Sequence, residues 1–437
     1  MSQSQNKEGL KKALTPLMLW GLGVGYVISG MYFGWNLGLE KGGTLGLAIA
    51  TLFIIVLYIT FTFSYSELAC AIPKAGGVFD YAIRAMGKDV GFVAGMAQNI
   101  EFIFAPPAIA FAIGAYFNLL FPQFDILWVA ISMYVVFTLL NIYGVKAAAT
   151  FELIVTVFAV VELLIFAGVT LPHFEVANLT RNALPNGWAG VFAALPFAIW
   201  FFLGIEGVAN VAEETVNPQK DILKGFGSAI ITLLVLCVIT FIAAVGVSGW
   251  EAIVYKADGT TSDSPLPMAM SFVVGDNSLL FHMLLTVGLF GLVASFHGLM
   301  LAGGRSTLEF GKVGYAPKII GKVHPKFQTP TNALLVNMLI GILILVTGKT
   351  TEIITIAVFG ALTLYIIAMI SMVVLRKKEP SLERPFKVPF YPASPIIALV
   401  IAFISFLSMT YYNPMLALIY FGLLAGSFVA YKLFYKK

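Results

Sequence analysis

Five carboxylates fall inside long apolar stretches of a chain that has 437 residues and 22 Asp and Glu in all: Glu67, Glu101, Glu152, Glu162 and Glu206. In a bilayer each would cost at least a few kcal/mol, so each is a candidate for holding a cation or carrying a proton. Glu101 lies in GMAQNIEFIFAPPA (95–108), with Gln98 and Asn99 beside it. Pro106 and Pro107 follow, and their missing backbone donors predict a helix bent or loosened just past the glutamate. Glu206 comes two residues after Gly204, beside a predicted helix break. Glu162 sits mid-stretch and suits proton carriage or helix packing. Glu67 and Glu152 fall near the ends of their stretches, within reach of water or basic loops, and read as structural. His297, close to Ser295, is a proton-relay or binding group, the alternative being a histidine satisfied by a neighbouring helix.

Aromatic residues gather near the same places. Tyr32, Phe33 and Trp35 follow one glycine cluster, and Phe197, Trp200, Phe201 and Phe202 precede another. Positions 197, 200, 201 and 204 share one helical face. A ring facing a cation contributes ~0.5–2 kcal/mol, so two or three of these side chains are candidates to line a cationic ligand. With 14% of all residues aromatic, the rest serve packing.

The elements that must hold these groups are membrane spans. Hydrophobic residues make up 59% of the chain and charged residues 11%, where a soluble globular domain carries roughly 25% charge. Apolar blocks recur near 17–39, 44–70, 90–120, 126–145, 150–171, 189–212, 222–247, 279–302, 331–348, 352–374, 393–411 and 414–432. Each is about the length that crosses a hydrocarbon core of ~30 Å. The sequence therefore predicts an all-α polytopic membrane protein of twelve spans and excludes a soluble enzyme. The polar insertions at 172–188, 249–278, 303–329 and 375–392 are too short for folded domains. The chain divides into a tail (1–16), a ten-helix core (17–374), a loop (375–392) and a final helix pair with its tail (393–437).

The net charge of +4 reflects topology. With the N-terminus inside, twenty-two of the 26 Lys and Arg residues, Arg305 among them, fall on the cytoplasmic side. Lys41, Arg181, Lys256 and Lys349 fall on the other. Both termini are thus placed in the cytoplasm, the protein in a plasma membrane, and no nucleic-acid partner is called for. The N-terminal segment reads as a retained helix without a cleavage site. Cys70 and Cys237 read as buried thiols. No HExxH, CxxC, Walker loop or GxSxG occurs, and His173, His282 and His324 have no metal-ligand spacing. No cofactor and no metal are expected, which weighs against an enzyme or an ATP-driven pump.

Glycines interrupt spans 1 and 6, in GVGYVISGMYFGW (23–35) and IWFFLGIEGVANVAEE (199–214). Five spans apart, these helices start on opposite sides. A pair of broken helices in two inverted halves points to a transporter's binding site, while close helix packing is the alternative.

The loops add a resemblance. SELACAIPKAGGVFDYAIRAMG (66–87), GYAPKIIGKVHPKFQTP (314–330) and LRKKEPSLERPFKVP (375–389) resemble, in order and spacing, the cytoplasmic signatures of the amino acid–polyamine–organocation superfamily. That resemblance implies two inverted five-helix repeats with helices 1 and 6 unwound, plus two further helices. VISGMYFGWNLGLEKGG (27–43), QNIEFIFAPPA (98–108), PFAIWFFLGIE (196–206) and LVASFHGLMLAGGR (292–305) look most like bacterial ethanolamine permeases. In amino acid carriers of the superfamily the ligand carboxylate meets backbone N–H groups of helix 1, and its amine meets carbonyls of helix 6. Ethanolamine has no carboxylate, so the resemblance places its hydroxyl near Ser29–Gly30 and its ammonium at Glu101. Ser29, Gly30, Met31, Tyr32, Gln98, Glu101, Trp200, Phe201, Phe202, Gly204 and Glu206 are the expected substrate contacts. Glu162, Glu206, Ser295 and His297 are the expected coupling groups. Sodium-coupled relatives carry several hydroxyls on helix 8, where this chain has Ser295, and some proton-coupled relatives carry a lysine on helix 5 that this chain lacks. The expected function is uptake of ethanolamine or a similar small organic cation, with H+ the favoured coupling ion, Na+ the alternative, and exchange or facilitated diffusion open. A neutral amino acid permease is the rival, and a non-transporting amine sensor a distant third.

Overall fold

The computed structural model describes residues 12–143 and 145–434, and within these nearly all regular structure is helical. Lys7, Lys11, Lys436 and Lys437 of the charge count lie outside what is described, as does most of the expected 1–16 tail. Ten helical stretches are long and apolar enough to cross a membrane. Two shorter apolar helices, Pro16–Tyr32 and Thr331–Leu345, fall where the first and ninth spans are predicted.

These elements are α1 (Pro16–Tyr32), α2 (Asn36–Ala71), α3 (Lys88–Leu120), α4 (Ile126–Tyr143), α5 (Val145–Thr170), α6 (Leu195–Trp200), α7 (Pro218–Ser248), α8 (Leu279–Lys312), α9 (Thr331–Leu345), α10 (Thr350–Lys378), α11 (Ala393–Tyr412) and α12 (Pro414–Phe434). After α6 the chain turns at Gly204 and continues as a 3-10 segment, Ile205–Glu214.

Burial separates an inner from an outer set. In the most apolar window of α10, 83% of residues are buried, and in that of the Gly187–Glu214 stretch 78%, against 17% in α12. The inner helices α1, α3, α8 and α10, with the α6 stretch, therefore carry what the fold encloses. The outer ones turn large apolar side chains such as Leu343 and Leu418 outward. That is the arrangement a hydrocarbon surrounding permits.

Three local expectations are narrowed or corrected. First, the interruption expected within 23–35 falls at the far end of that stretch, at its last glycine: α1 runs unbroken to Tyr32. The break comes later, at an extended Phe33 and at Gly34, whose φ is +86°. A new helix starts at Asn36 and changes direction at Gly43 (φ +64°), where a Cβ would run into the Ala183 carbonyl and the Pro185 ring. Residues 36–42 are thus the far part of the first predicted span, and Gly43 leads into the second. Secondly, the loosening expected past Glu101 stops short of a break: α3 runs on through Pro106 and Pro107, which leave the carbonyls of Phe102 and Ile103 without their i+4 donors. Packing on both sides by α8 and α10, its two most extensive neighbours, holds the helix together. Thirdly, α8 continues to Lys312, so Arg305 is not at the start of a polar loop; it is inside a helix and fully buried.

Glu67 takes the structural role its position suggests. Arg376 donates to it twice at 2.7 Å, Arg384 lies 3.3 Å away, and the Val388 N–H donates at 2.7 Å. This ties the 375–392 loop to the end of α2. At the other end of the chain Ala13 and Leu14 N–H groups donate to the Glu214 carbonyl. The Val216 N–H donates back to the Leu14 carbonyl, which fixes the entry to α1.

Candidate functional site

Two segments that leave helical geometry meet at the centre. Gly204 has φ +95°, a left-handed conformation that glycine adopts without steric cost, and it turns the chain from α6 into the 3-10 segment. A Cβ on Gly30 would lie 2.5 Å from the Trp200 carbonyl and 3.0 Å from the Phe201 Cα, so glycine lets α1 touch the broken stretch.

Glu206 opens the 3-10 segment and is fully buried. Its Oε2 accepts from the Tyr365 hydroxyl of α10 at 3.0 Å, and its Oε1 has no hydrogen bond. Tyr365 lies 2.9 Å from the Tyr58 hydroxyl of α2, which reaches the Ile199 carbonyl at 3.4 Å. Glu101, also fully buried, faces Glu206 directly, and neither of its oxygens has another protein partner among the described residues. Gly360 of α10 brings α10 against α3 at this level, since a Cβ there would meet the Ala97 carbonyl and the Glu101 amide. Two buried carboxyls face to face cannot both be ionised unless a cation lies between them; without one they hold a proton.

Aromatic rings close this centre on the side where α1 ends. Trp200 donates its indole N–H to the Phe33 carbonyl at 3.0 Å and packs edge-on to the Phe33 ring. Phe201 stacks on Trp35 at 5.5 Å, and Phe202 leans on Tyr58 at 5.0 Å. Met31 is buried, and its carbonyl accepts from the Trp35 indole.

Other expected residues lie elsewhere. Gln98 is turned toward α8, where it donates to the Ser306 hydroxyl at 2.7 Å. Tyr32 points away from Glu101, toward Glu162: its hydroxyl is 2.5 Å from Glu162 Oε2 and 3.1 Å from the Ala159 carbonyl. Tyr32 and Glu162 line a separate small cavity of about 10 Å³ with Tyr116 and apolar residues, room for a single water.

The Ser29 amide is not free. It donates to Ser295 Oγ at 2.8 Å, and Ser295 donates to the Gly25 carbonyl at 2.6 Å. The hydroxyl thus bridges the two groups that an undisturbed i to i−4 ladder would pair, so α1 is loosened here without being broken. His297 Nδ1 lies 2.6 Å from Glu152 Oε2, with both side chains fully buried. Glu152 reaches neither water nor, among the described residues, a basic loop side chain: it is fully buried between α1 and α8, with Gly25 and Gly298 against it.

Sequence reasoning missed Tyr58, Tyr365 and the Glu152–His297 contact. Nothing in an isolated tyrosine within an apolar helix says which carboxylate it will meet 159 residues away in the chain.

A helical bundle with broken segments meeting at buried, unpaired acids is the architecture of a membrane carrier. Comparison with known proteins agrees: the family model described as amino acid permease matches residues 14–425. The chain belongs to the amino acid permease family. Over 405 residues it is 28% identical to an uncharacterized transporter of Rhizobium meliloti, covering 90% of this chain and 85% of the relative. It is 25% identical to the branched-chain amino acid permease of Bacillus subtilis, with 92% of this chain and 88% of the relative covered. To the low-affinity putrescine importer of Escherichia coli it is 24% identical, covering 88% and 86%. These relatives are transporters, as is this chain.

Proposed function

We propose that the protein takes up ethanolamine or a similar small amine by alternating access around α1 and the α6 break. The observation that carries this reading is the pair of buried carboxyls, Glu101 and Glu206, facing each other with no basic partner among the described residues. An ammonium group supplies the missing positive charge, and Trp200 and Phe201 add ring faces nearby. The hydroxyl of the ligand is assigned to the backbone near Ser29–Gly30. Because Ser295 already occupies the Ser29 amide, this part of α1 offers little to a carboxylate. One relative is named as a putrescine importer, which is consistent with an amine ligand in this family.

The moving part in this reading is the 17–374 core of two inverted five-helix repeats, with 393–437 packed outside it. The protein sits in the bacterial inner membrane with both termini in the cytoplasm, and uptake is driven by H+. The rival reading, a neutral amino acid permease, draws support from the branched-chain amino acid relative. Uptake of labelled ethanolamine into proteoliposomes, with and without an imposed inward proton gradient, separates the two. Concentrative uptake blocked by excess ethanolamine and spared by alanine is the expected result. Accumulation of alanine without ethanolamine uptake would establish the rival.

A further inference from the structure

Away from the central acids, a buried carboxylate and a histidine meet inside the bundle. Glu152 Oε2 and His297 Nδ1 are 2.6 Å apart, and neither side chain is exposed. Each keeps a second polar atom, Oε1 and Nε2, with no hydrogen bond among the described residues. Glycine makes the room. A Cβ on Gly25 of α1 or Gly298 of α8 would press into Glu152 Oε1, so these backbones close directly around the carboxylate.

Gly25 is also where Ser295 loosens α1, since it supplies the carbonyl that the serine hydroxyl takes. Five residues on, roughly 7.5 Å along the axis, Gly30 rests on Trp200 and Phe201 of the segment leading to Glu206. The same stretch of α1 is therefore gripped by the Glu152–His297 pair at one point and by the break beside the central acids at another.

With one shared proton the pair is neutral, whether oxygen or nitrogen carries it; without that proton it bears one negative charge. In a water-free setting this difference is costly, so proton exchange needs a rearrangement that admits water from one side. The surrounding groups are few. Tyr26 of α1 brings a hydroxyl without a partner, and Thr156 of α5 donates to the Gly21 carbonyl. Asn141 of α4 donates to the His297 carbonyl, and Phe137 and Phe151 pack their rings on the imidazole. Arg305, farther along α8, is held by both oxygens of Glu214 in the 3-10 segment, so its charge is already matched.

We propose that Glu152 and His297 together form the proton site of the carrier, taking up one proton from one side of the membrane and releasing it to the other as α1 moves. This deepens the transport reading above and rests on it. The test uses full-length protein in liposomes with an internal pH dye, comparing wild type with Glu152→Gln, His297→Gln and Glu152→Asp. Two quantities are read: exchange of labelled ethanolamine at equal concentrations, and gradient-driven accumulation with its accompanying proton uptake. Exchange should persist in all variants. Accumulation and proton uptake should be lost in the Gln variants and kept in Glu152→Asp, which retains the acid. Gln variants that accumulate amine and move protons like wild type would overturn the proposal. So would loss of exchange together with accumulation in folded, monodisperse Gln variants, because the pair would then be structural. Wild type that exchanges alanine but no ethanolamine would instead refute the substrate reading, and the proton test would then be read with alanine.

Discussion

Glu101 and Glu206 face each other, whereas Glu67 and Glu214, equally removed from water, face arginines. Glu214 receives two hydrogen bonds of 3.1 Å from Arg305, and Glu67 receives two of 2.7 Å from Arg376. The arginine-bound acids lie where helix ends meet loops and tie segments together. The acid–acid pair lies where α3 passes the broken α6 stretch, and the Tyr365 hydroxyl donates to Glu206 there. Burial is the same in both regions, so burial alone does not mark a functional acid. What separates them is whether the protein supplies the counter-charge or leaves that to a ligand.

The largest expected effect breaks the paired side. Removing Arg305 strands Glu214 without compensation in a dry site, a cost of about 3–5 kcal/mol. Arg305→Met should therefore lower the thermal unfolding temperature in detergent more than any change at Glu101. On the unpaired side, Glu101→Gln keeps shape and removes the charge. A hydrogen bond to a charged group contributes about 1.5–3 kcal/mol, so amine affinity should fall roughly 10- to 100-fold while stability holds or rises.

Gly25→Ala tests the close approach of α1 to Glu152, and overpacking there should cost about 1–3 kcal/mol in stability. Tyr365→Phe deletes a single donor to Glu206, worth about 0.5–1.5 kcal/mol, and should change amine affinity by a few-fold.

A last effect, read in the pH dependence of stability, lies outside the spans, in the short helix Val78–Met86. Burial pushes the Asp80 carboxyl up to about 6, with repulsion from Glu309 adding to it. Its folded value lies above the unfolded one of about 3.9, so ionisation opposes folding. The contribution of Asp80 is fully present below about pH 4 and is lost as pH rises through about 6. Asp80→Asn should flatten that part of the stability–pH profile, as followed by thermal unfolding at stepped pH.

Much of this was legible in the sequence where one residue type has one dominant consequence. Blocks of apolar residues marked the spans, and Gly204 marked the turn into the segment that carries Glu206. The position of the first break was not legible. Gly23, Gly25 and Gly30 serve close packing inside an intact helix, while Gly34 does the breaking, and composition cannot distinguish a glycine that packs from one that turns. Likewise Glu152 and Glu67 read alike, both near a segment end. Their partners, His297 and Arg376, come from 145 and 309 residues away, and a single chain holds no record of which distant groups will meet. Glu101 was singled out by its depth and its polar neighbours, yet those neighbours, Gln98 and Asn99, turned out to bond within the helix packing.

The central claim is that Glu101 and Glu206 await a cation. Equilibrium binding of labelled ethanolamine to purified protein tests it most directly, comparing wild type, Glu101→Gln and the arginine-bound control Glu67→Gln. The account predicts saturable binding in wild type and in Glu67→Gln, weakened by about tenfold or more in Glu101→Gln. Equal affinity in wild type and Glu101→Gln would contradict it.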